Sequence, residues 1–100
     1  MTETIVFQTK DFNGWTNHAT WDFFVNYAEA LDTLAQDAVY EGMQCLEQAE
    51  FAVYFRLLLN ERSKFITDSF LSNQIRLAIN EINFKELHNA YLDMIKEYQR

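Results

Sequence analysis

Apolar residues recur along this chain at the three- and four-residue spacing of amphipathic helices. The first helix is predicted to begin after the turn signal Asn13-Gly14, with Thr16 or Thr20 as its N-cap. The spacing extends this helix beyond residue 40, where Gly42 favours a break. Two successive stripes define its predicted core face: Trp21, Phe24, Val25, Ala28, Leu31, Leu34, Ala35 and Ala38.

Residues 51–59 are apolar on almost every side, with Arg56 as the exception. Such a segment is typical of a central helix that its neighbours cover on several sides. A polar connection is predicted over residues 60–64, and any of the polar residues 67–69 can cap a third helix. The core face predicted for that third helix consists of Leu71, Ile75, Ala78, Ile79 and Ile82.

The clearest local signal is the start of a last helix at Asn83. Asn83 and Glu86 have the spacing of a capping box, and Ile82 and Leu87 have the spacing of a hydrophobic staple. The residues predicted to face inward from this helix are Phe84, Leu87, Tyr91, Met94, Ile95 and Tyr98.

Composition agrees with a helical fold. The 100 residues include no proline and two glycines, whereas β-sheet folds need many turns that use these residues. We therefore predict a single all-α domain over residues 1–100, a compact bundle of about four helices. Residues 4–8 are β-branched, aromatic or polar, so a short strand or an extended arm is expected within residues 1–12.

Signals for catalysis or metal binding are weak. The chain has no GxGxxG, P-loop, HExxH or GxSxG motif. His18 and Asp22 share a helical face, but two ligands do not make a metal site. His88 adjoins the core face and is expected to be packed and hydrogen-bonded, and Cys45 is expected to be a small buried thiol. We predict a protein that is not an enzyme, with no catalytic residue, cofactor or metal.

The sequence also indicates where the protein acts. No apolar run approaches the roughly 18–20 residues of a membrane span, and the first residues lack the pattern of a signal peptide. A single cysteine cannot close an internal disulfide, which suits a reducing compartment. We expect a cytoplasmic monomer or homodimer with no membrane partner.

Charge is distributed unevenly along the chain. The formal net charge is −7, and residues 11–55 contain eight acidic residues but no Lys or Arg. Such a segment repels nucleic acid phosphates and attracts basic protein surfaces. It is either a solvated face that maintains solubility or an acidic face that binds a partner. The acidic candidates for partner binding are Asp22, Glu29, Asp32, Asp37, Glu41, Glu47 and Glu50.

A single acidic stripe is expected if residues 22–50 form one helix or two nearly collinear helices. Five of the acids then fall within an arc of roughly 80°. Aromatic residues also crowd into this part of the chain. Phe23 and Tyr27 lie beside the predicted core stripe, so they are either core residues or a patch for a protein partner.

Two stretches resemble a family of small proteins from phages, plasmids and other mobile elements. Residues 13–21 (NGWTNHATW) resemble the family's NGWTNYETW opening, and residues 78–87 (AINEINFKEL) are similar in type to its ALSEVNWxEIAxxL segment. His18, Ala19 and Phe84 stand where the family has Tyr, Glu and Trp. Residues 28–70 show no such resemblance.

The resemblance implies a phage or mobile-element protein that acts inside a bacterial cell without enzyme activity. Together with the acidic segment, it leads us to expect an inhibitor of a host nucleic-acid-targeting defence system, of the anti-CRISPR or antirestriction kind. It would act by protein–protein binding, with an acidic face that mimics nucleic acid. Its partner would be a host protein or ribonucleoprotein with a basic surface, and it would not bind nucleic acid directly. The alternative is a small accessory or regulatory protein that binds a phage or host protein through its aromatic patch.

Overall fold

A computed structural model describes residues 14–100 of the chain, and these residues form four α-helices without any strand. The predicted all-α bundle is therefore confirmed, while the predicted N-terminal arm lies outside the described residues. The helices are α1 (His18–Tyr40), α2 (Gln48–Ser63), α3 (Ser69–Glu81) and α4 (Phe84–Tyr98).

The central helix of the bundle is α4. Its predicted inward face is confirmed, because Phe84, Leu87, Tyr91 and Ile95 are all buried. His88 is buried beside them, as the sequence indicates. The apolar stripe of α4 thus forms the middle of the core, with helices packed on two sides of it.

The prediction that α2 is the central helix is wrong. Phe51 and Phe55 are fully buried, but Val53, Tyr54 and Leu57 on the opposite side of the helix are exposed. α2 therefore contributes one face to the core, although its sequence is apolar almost all round. The predicted polar connection at residues 60–64 is also wrong, since α2 continues to Ser63.

α1 and α4 run parallel to each other. At their starts, the backbone N–H of Asn83 donates to the buried hydroxyl of Thr20 at 2.8 Å. Further along both helices, the hydroxyl of Tyr98, at the end of α4, donates to the carboxylate of Asp32 in the second half of α1. α2 runs antiparallel to α4, since Phe51 near its start packs against Tyr91 with ring centroids 5.3 Å apart, while Arg56 further along lies 5.2 Å from the ring centroid of Phe84 at the start of α4.

The N-cap of α1 is Asn17, and neither Thr16 nor Thr20 has this role. The Asn17 side-chain oxygen accepts the backbone N–H of Thr20 at 2.9 Å, and its amide group donates to the carbonyl of Glu81 at 2.8 Å. The Thr20 hydroxyl instead accepts the backbone N–H of Asn83, the N-cap of α4. The cap of α1 therefore also ties this helix to the end of α3.

Asn83 caps α4 as predicted, accepting the backbone N–H of Glu86 at 3.1 Å. The Glu86 carboxylate does not return to Asn83, as a capping box requires. It accepts the backbone N–H of Thr16, at 3.0 Å, just before α1. One carboxylate therefore lies near the positive ends of two parallel helix dipoles, where a negative charge is stabilising.

The core stripe of α1 is displaced from the predicted one. Its buried residues are Thr20, Phe23, Leu31 and Ala35, whereas Val25 is exposed. The helix is kinked at a residue with non-helical backbone angles, Tyr27 (φ −120°, ψ 15°). At about 100° per residue the buried residues of both halves still share one face, and the predicted first stripe, with Trp21 and Val25, lies beside it.

The connection between α1 and α2 is held by two side chains of α4. Leu46 donates its backbone N–H to the hydroxyl of Tyr91 at 3.0 Å, and its carbonyl accepts from Nε2 of His88 at 2.8 Å. Burial raises the pKa of Tyr91. Gly42 has a φ of 69°, which fits the predicted break. Cys45 is exposed, so the prediction of a buried thiol is wrong.

Candidate functional site

An open groove of about 710 Å³ lies between the first half of α1, the end of α2 and α3. Its walls come from three helices that are distant in sequence. Most of the lining side chains are apolar, and two carboxylates stand on the α1 side. The residues that line it include Ala19, Asp22, Phe23, Asn26, Tyr27, Glu29, Ala30, Leu59, Arg62, Ile66, Ile75, Ala78, Ile79 and Ile82.

One wall of the groove is the predicted core face of α3. Ile75, Ala78, Ile79 and Ile82 line it, whereas Leu71, the fifth residue of the predicted stripe, is exposed and does not line the groove. The prediction that this stripe is buried in a core is wrong, since α3 has no buried residue. The stripe faces a gap between helices, and α1 and α2 do not close over it.

The floor of the groove is aromatic. Phe23 stacks on Tyr27 with ring centroids 4.6 Å apart, and it packs edge-on against Phe55 at 5.3 Å. Phe23 is 5% exposed, so it belongs to the core and gives the groove only a small part of its surface. Of the two aromatic candidates for partner binding, Tyr27 is the one with substantial surface in the groove.

Arg62 closes one side of the groove. Its guanidinium donates to the Tyr27 hydroxyl at 3.3 Å and lies over the same ring, 5.4 Å from the centroid. Such a contact combines a hydrogen bond with a cation–π interaction. It connects the end of α2 to the kink in α1.

Two of the predicted acidic residues stand on the α1 rim of the groove. Asp22 and Glu29 line it together with Asn26, and the spacing of four and then three residues places all three on one helical face. The Asp22 carboxylate accepts from the Asn26 amide at 3.1 Å. The side chain of Glu29 is exposed, and it forms no hydrogen bond or ion pair with residues 14–100.

Asp32 faces a different part of the molecule. Its carboxylate accepts from the hydroxyl of Tyr98 and from the amide of Gln36, the latter at 2.9 Å. The hydrogen bond from Tyr98 to Asp32 raises the pKa of that phenol. Asp32 therefore joins the second half of α1 to the end of α4, and it is not part of the groove.

The predicted acidic stripe from Asp22 to Glu50 does not form. α1 ends at Tyr40 and α2 begins at Gln48, with residues 41–47 non-helical between them. This break excludes one helix, and two collinear helices are excluded because α1 runs parallel to α4 whereas α2 runs antiparallel to it. Asp37 lies near the end of α1, and the remaining three predicted acids are exposed at the helix ends: Glu41, Glu47 and Glu50.

Glu50 also has a structural role. Its carboxylate accepts the backbone N–H of Glu47, the N-cap of α2, at 3.0 Å. A negative charge in the first turn also stabilises the helix dipole. Of the nine predicted partner-binding residues, the groove therefore brings together Asp22, Phe23, Tyr27 and Glu29.

The described part of the chain offers no group of three His, Cys, Asp or Glu side chains that could hold a metal ion. No helix within residues 14–100 is both long and apolar enough to cross a membrane. Comparison with protein-family models, with curated proteins and with solved structures gives no match to this chain.

Proposed function

We propose that this protein is a non-enzymatic binding protein whose groove takes an apolar, basic segment of a partner protein. The observation that carries this proposal is the position of Asp22 and Glu29 beside a groove with apolar walls. A groove lined by isoleucine and aromatic side chains favours apolar ligands. Carboxylates along one rim favour a ligand with cations on the matching edge.

The spacing of the two carboxylates supports a helical ligand. Asp22 and Glu29 are seven residues apart, which is about 10.5 Å along the axis of α1. An amphipathic helix with two basic residues at a similar separation can place both beside these carboxylates while its apolar face meets α3. Helix-in-groove binding of this kind is a common mode of peptide recognition.

The charge of the surrounding surface also supports a basic partner. Residues 14–55 contain seven acidic side chains and no Lys or Arg. Arg62, the cation at the groove, is already engaged by Tyr27. The summed field of these acids speeds the approach of a basic protein, and the effect weakens as salt is added.

Within this class, we propose the narrower role of a phage or mobile-element inhibitor of a host defence system that targets nucleic acid. The resemblance of residues 13–21 and 78–87 to mobile-element proteins supports this role. Such systems hold nucleic acid on basic surfaces, which an acidic protein attracts. Asp32 and Glu50 have internal hydrogen bonds, so the groove is a better candidate surface than an extended array of carboxylates.

A pair of designed peptides tests the binding proposal. One is an amphipathic helix with a leucine stripe and two lysines about seven residues apart, and the other has glutamate at those two positions. We expect the basic peptide to bind with a dissociation constant in the micromolar range, measured by isothermal titration calorimetry. We expect the acidic peptide to bind at least tenfold more weakly.

Two charge reversals locate the site. Glu29→Lys should weaken binding of the basic peptide at least tenfold. Asp93→Lys makes the same change of charge at an exposed position of α4 outside the groove, and it should have a small effect. Equal losses from both variants would mean that total charge, not the groove, controls binding. Equal binding of the two peptides, or binding of neither, would contradict the proposal.

The inhibitor role has its own test in cells. Bacteria that carry a defined CRISPR or restriction system are challenged with a sensitive phage, with and without expression of this protein. The inhibitor proposal expects more plaques with the wild-type protein than with Glu29→Lys. Unchanged plaque counts across such systems would contradict the inhibitor role while leaving the peptide result intact.

A further inference from the structure

Arg62 is a cation at the groove that has no carboxylate partner among residues 14–100. Its guanidinium donates to the neutral hydroxyl of Tyr27 at 3.3 Å, and it forms no ion pair with the described residues. Lys64, two residues further along, is instead paired with Glu61 at 2.9 Å. Tyr27 therefore orients the positive charge of Arg62 but does not neutralise it.

Most of the hydrogen-bonding capacity of Arg62 is also unused. The Tyr27 hydroxyl takes one of the five N–H donors of the guanidinium, and the side chain has no other hydrogen bond with residues 14–100. The remaining donors belong to a planar fork, which matches the two oxygens of a carboxylate. Because Arg62 is exposed and lines the groove, a ligand in the groove can reach it.

Arg62 and the two carboxylates of the groove lie at opposite edges. Asp22 and Glu29 share one face of α1, whereas Tyr27 is about 140° around the helix from Asp22. All three line the groove, so its surface on α1 extends from the carboxylates on one edge to Tyr27 on the other. Arg62 contacts that second edge from the last turn of α2. The groove therefore has negative charge along one edge and positive charge on the other.

We infer that the segment bound in the groove carries a carboxylate that pairs with Arg62. This inference rests on the proposed function and specifies its ligand further. The basic residues of the ligand lie on one flank of its apolar stripe, and an acidic residue lies on the other flank. Since Tyr27 comes between Asp22 and Glu29 along α1, the acidic residue lies between the two basic residues along the ligand axis.

This charge pattern determines the direction of the bound helix. Reversing an amphipathic helix while its apolar stripe still faces the groove exchanges its two flanks. The basic residues would then face Arg62, and the acidic residue would face Asp22 and Glu29. Like charges brought together in this way disfavour the reversed helix. The groove therefore accepts the ligand in one direction.

Two peptides of identical composition and net charge test the inference. Both are amphipathic helices with a leucine stripe and two lysines about seven residues apart on one flank. The first has a glutamate on the opposite flank, between the lysines along the axis, and the second has this glutamate on the face turned away from the groove. We expect the first to bind about fivefold more tightly, measured by isothermal titration calorimetry.

Variants of the protein assign this preference to Arg62. Arg62→Gln should make the two peptides bind equally, because the position of the glutamate no longer matters. Arg76→Gln is the matched control, because Arg76 is an exposed arginine of α3 that donates to Asn73 and does not line the groove. It should leave the preference unchanged. A purely structural role of Arg62 would alter stability without altering the preference.

A further pair of peptides distinguishes the source of the carboxylate. Both lack the glutamate and end at its position, one with a free C-terminal carboxylate and the other with an amide. Tighter binding of the free acid that Arg62→Gln abolishes would show that Arg62 pairs with a chain end as well as, or instead of, a side chain.

The outcomes separate this inference from the proposed function. If no carboxylate position changes the affinity, or if Arg62→Gln leaves the preference intact, the inference is overturned while the groove remains a site for basic helices. If none of these peptides binds, the proposed function and this inference are both overturned.

Discussion

α3 and α4 are adjacent in the chain, and both have an apolar stripe at helical spacing, yet they are packed differently. α4 (Phe84–Tyr98) has five buried residues, while α3 (Ser69–Glu81) has none. The difference comes from their neighbours, because α4 has α1 on one side and α2 on another. An amphipathic pattern therefore shows that a helix has a face to cover, but it does not show that the chain itself covers it.

The largest expected effect is the difference in stability loss between alanine substitutions of two leucines. Leu87 of α4 is fully buried and Leu77 of α3 is 57% exposed. Leu87→Ala should lower the free energy of unfolding by about 2–5 kcal/mol, because it leaves a cavity in the core. Leu77→Ala should change it by less than about 0.5 kcal/mol. Urea unfolding followed by circular dichroism measures both, and similar losses would mean that α3 is as well packed as α4.

A smaller effect is expected at the two helix caps. Asn83 caps α4 and Asp68 caps α3, each accepting the backbone N–H of the residue three positions later. Asn83→Ala should cost roughly 1 kcal/mol of global stability, the usual value for a cap. Asp68→Ala should cost less, because α3 can open without unfolding the core.

Hydrogen exchange distinguishes the two caps further. Asp68→Ala should accelerate exchange of the α3 amides and leave the α4 amides unchanged. Asn83→Ala should accelerate exchange of the slowest amides throughout the bundle. If Asp68→Ala also accelerated exchange in α4, the two helices would unfold as one unit. That result would contradict the expectation that α3 opens without unfolding the core.

The smallest expected effect concerns the pH dependence of the α1–α4 contact. The hydrogen bond to Asp32 raises the pKa of Tyr98, so the folded protein holds this phenol proton more tightly than the unfolded chain does. The stabilising contribution is therefore complete below about pH 10 and is lost as the pH rises through the folded pKa. Tyr98→Phe removes the contribution at every pH.

Urea midpoints between about pH 8 and about pH 11 measure this effect. The difference between the wild-type protein and Tyr98→Phe should shrink towards the alkaline end. Tyr54→Phe is the control, because the Tyr54 hydroxyl has no hydrogen bond with the described residues. A difference for Tyr98→Phe that stays constant with pH would show that the Asp32 contact does not depend on the phenol proton.

Helix content, the start of α4 and its inward face could be predicted from the sequence because they depend on local rules. Asn83 can cap a helix wherever the helix packs, and the apolar stripe of α4 marks the face that has to be covered, which in this helix is the core face. The cap of α1 could not be assigned in this way. Thr20 is a suitable cap by type, but its hydroxyl accepts from Asn83, 63 residues away.

The candidate site was partly predictable for the same reason. The acidic character of α1 and the aromatic pair Phe23 and Tyr27 are visible in the sequence. Their convergence with the α3 stripe depends on how three helices meet, which no local pattern contains. One signal was available: residues 51–59 are apolar on almost every side and residues 71–82 carry a further apolar stripe, so some of these residues had to lie outside the core.

The prediction of a single acidic surface was wrong because the sequence shows which residues are acidic but not where the fold places their side chains. Asp32 and Glu50 contribute to the net charge as Asp22 and Glu29 do, but they form hydrogen bonds with Tyr98 and with the backbone of Glu47. Reversal of all these charges would therefore damage the fold as well as any binding surface. Glu29 is the member of the set that best reports on binding alone.

The parallel pairing of α1 with α4 has a consequence for the order of folding. The apolar face of α1 has its main partner in residues 84–98, so residues 18–63 cannot complete a core before those residues are available. Contacts across more than 60 positions, such as Thr20 with Asn83, must close a long loop before they stabilise anything. During synthesis, the chain therefore remains without a native core, and open to proteases and chaperones, until α4 has left the ribosome.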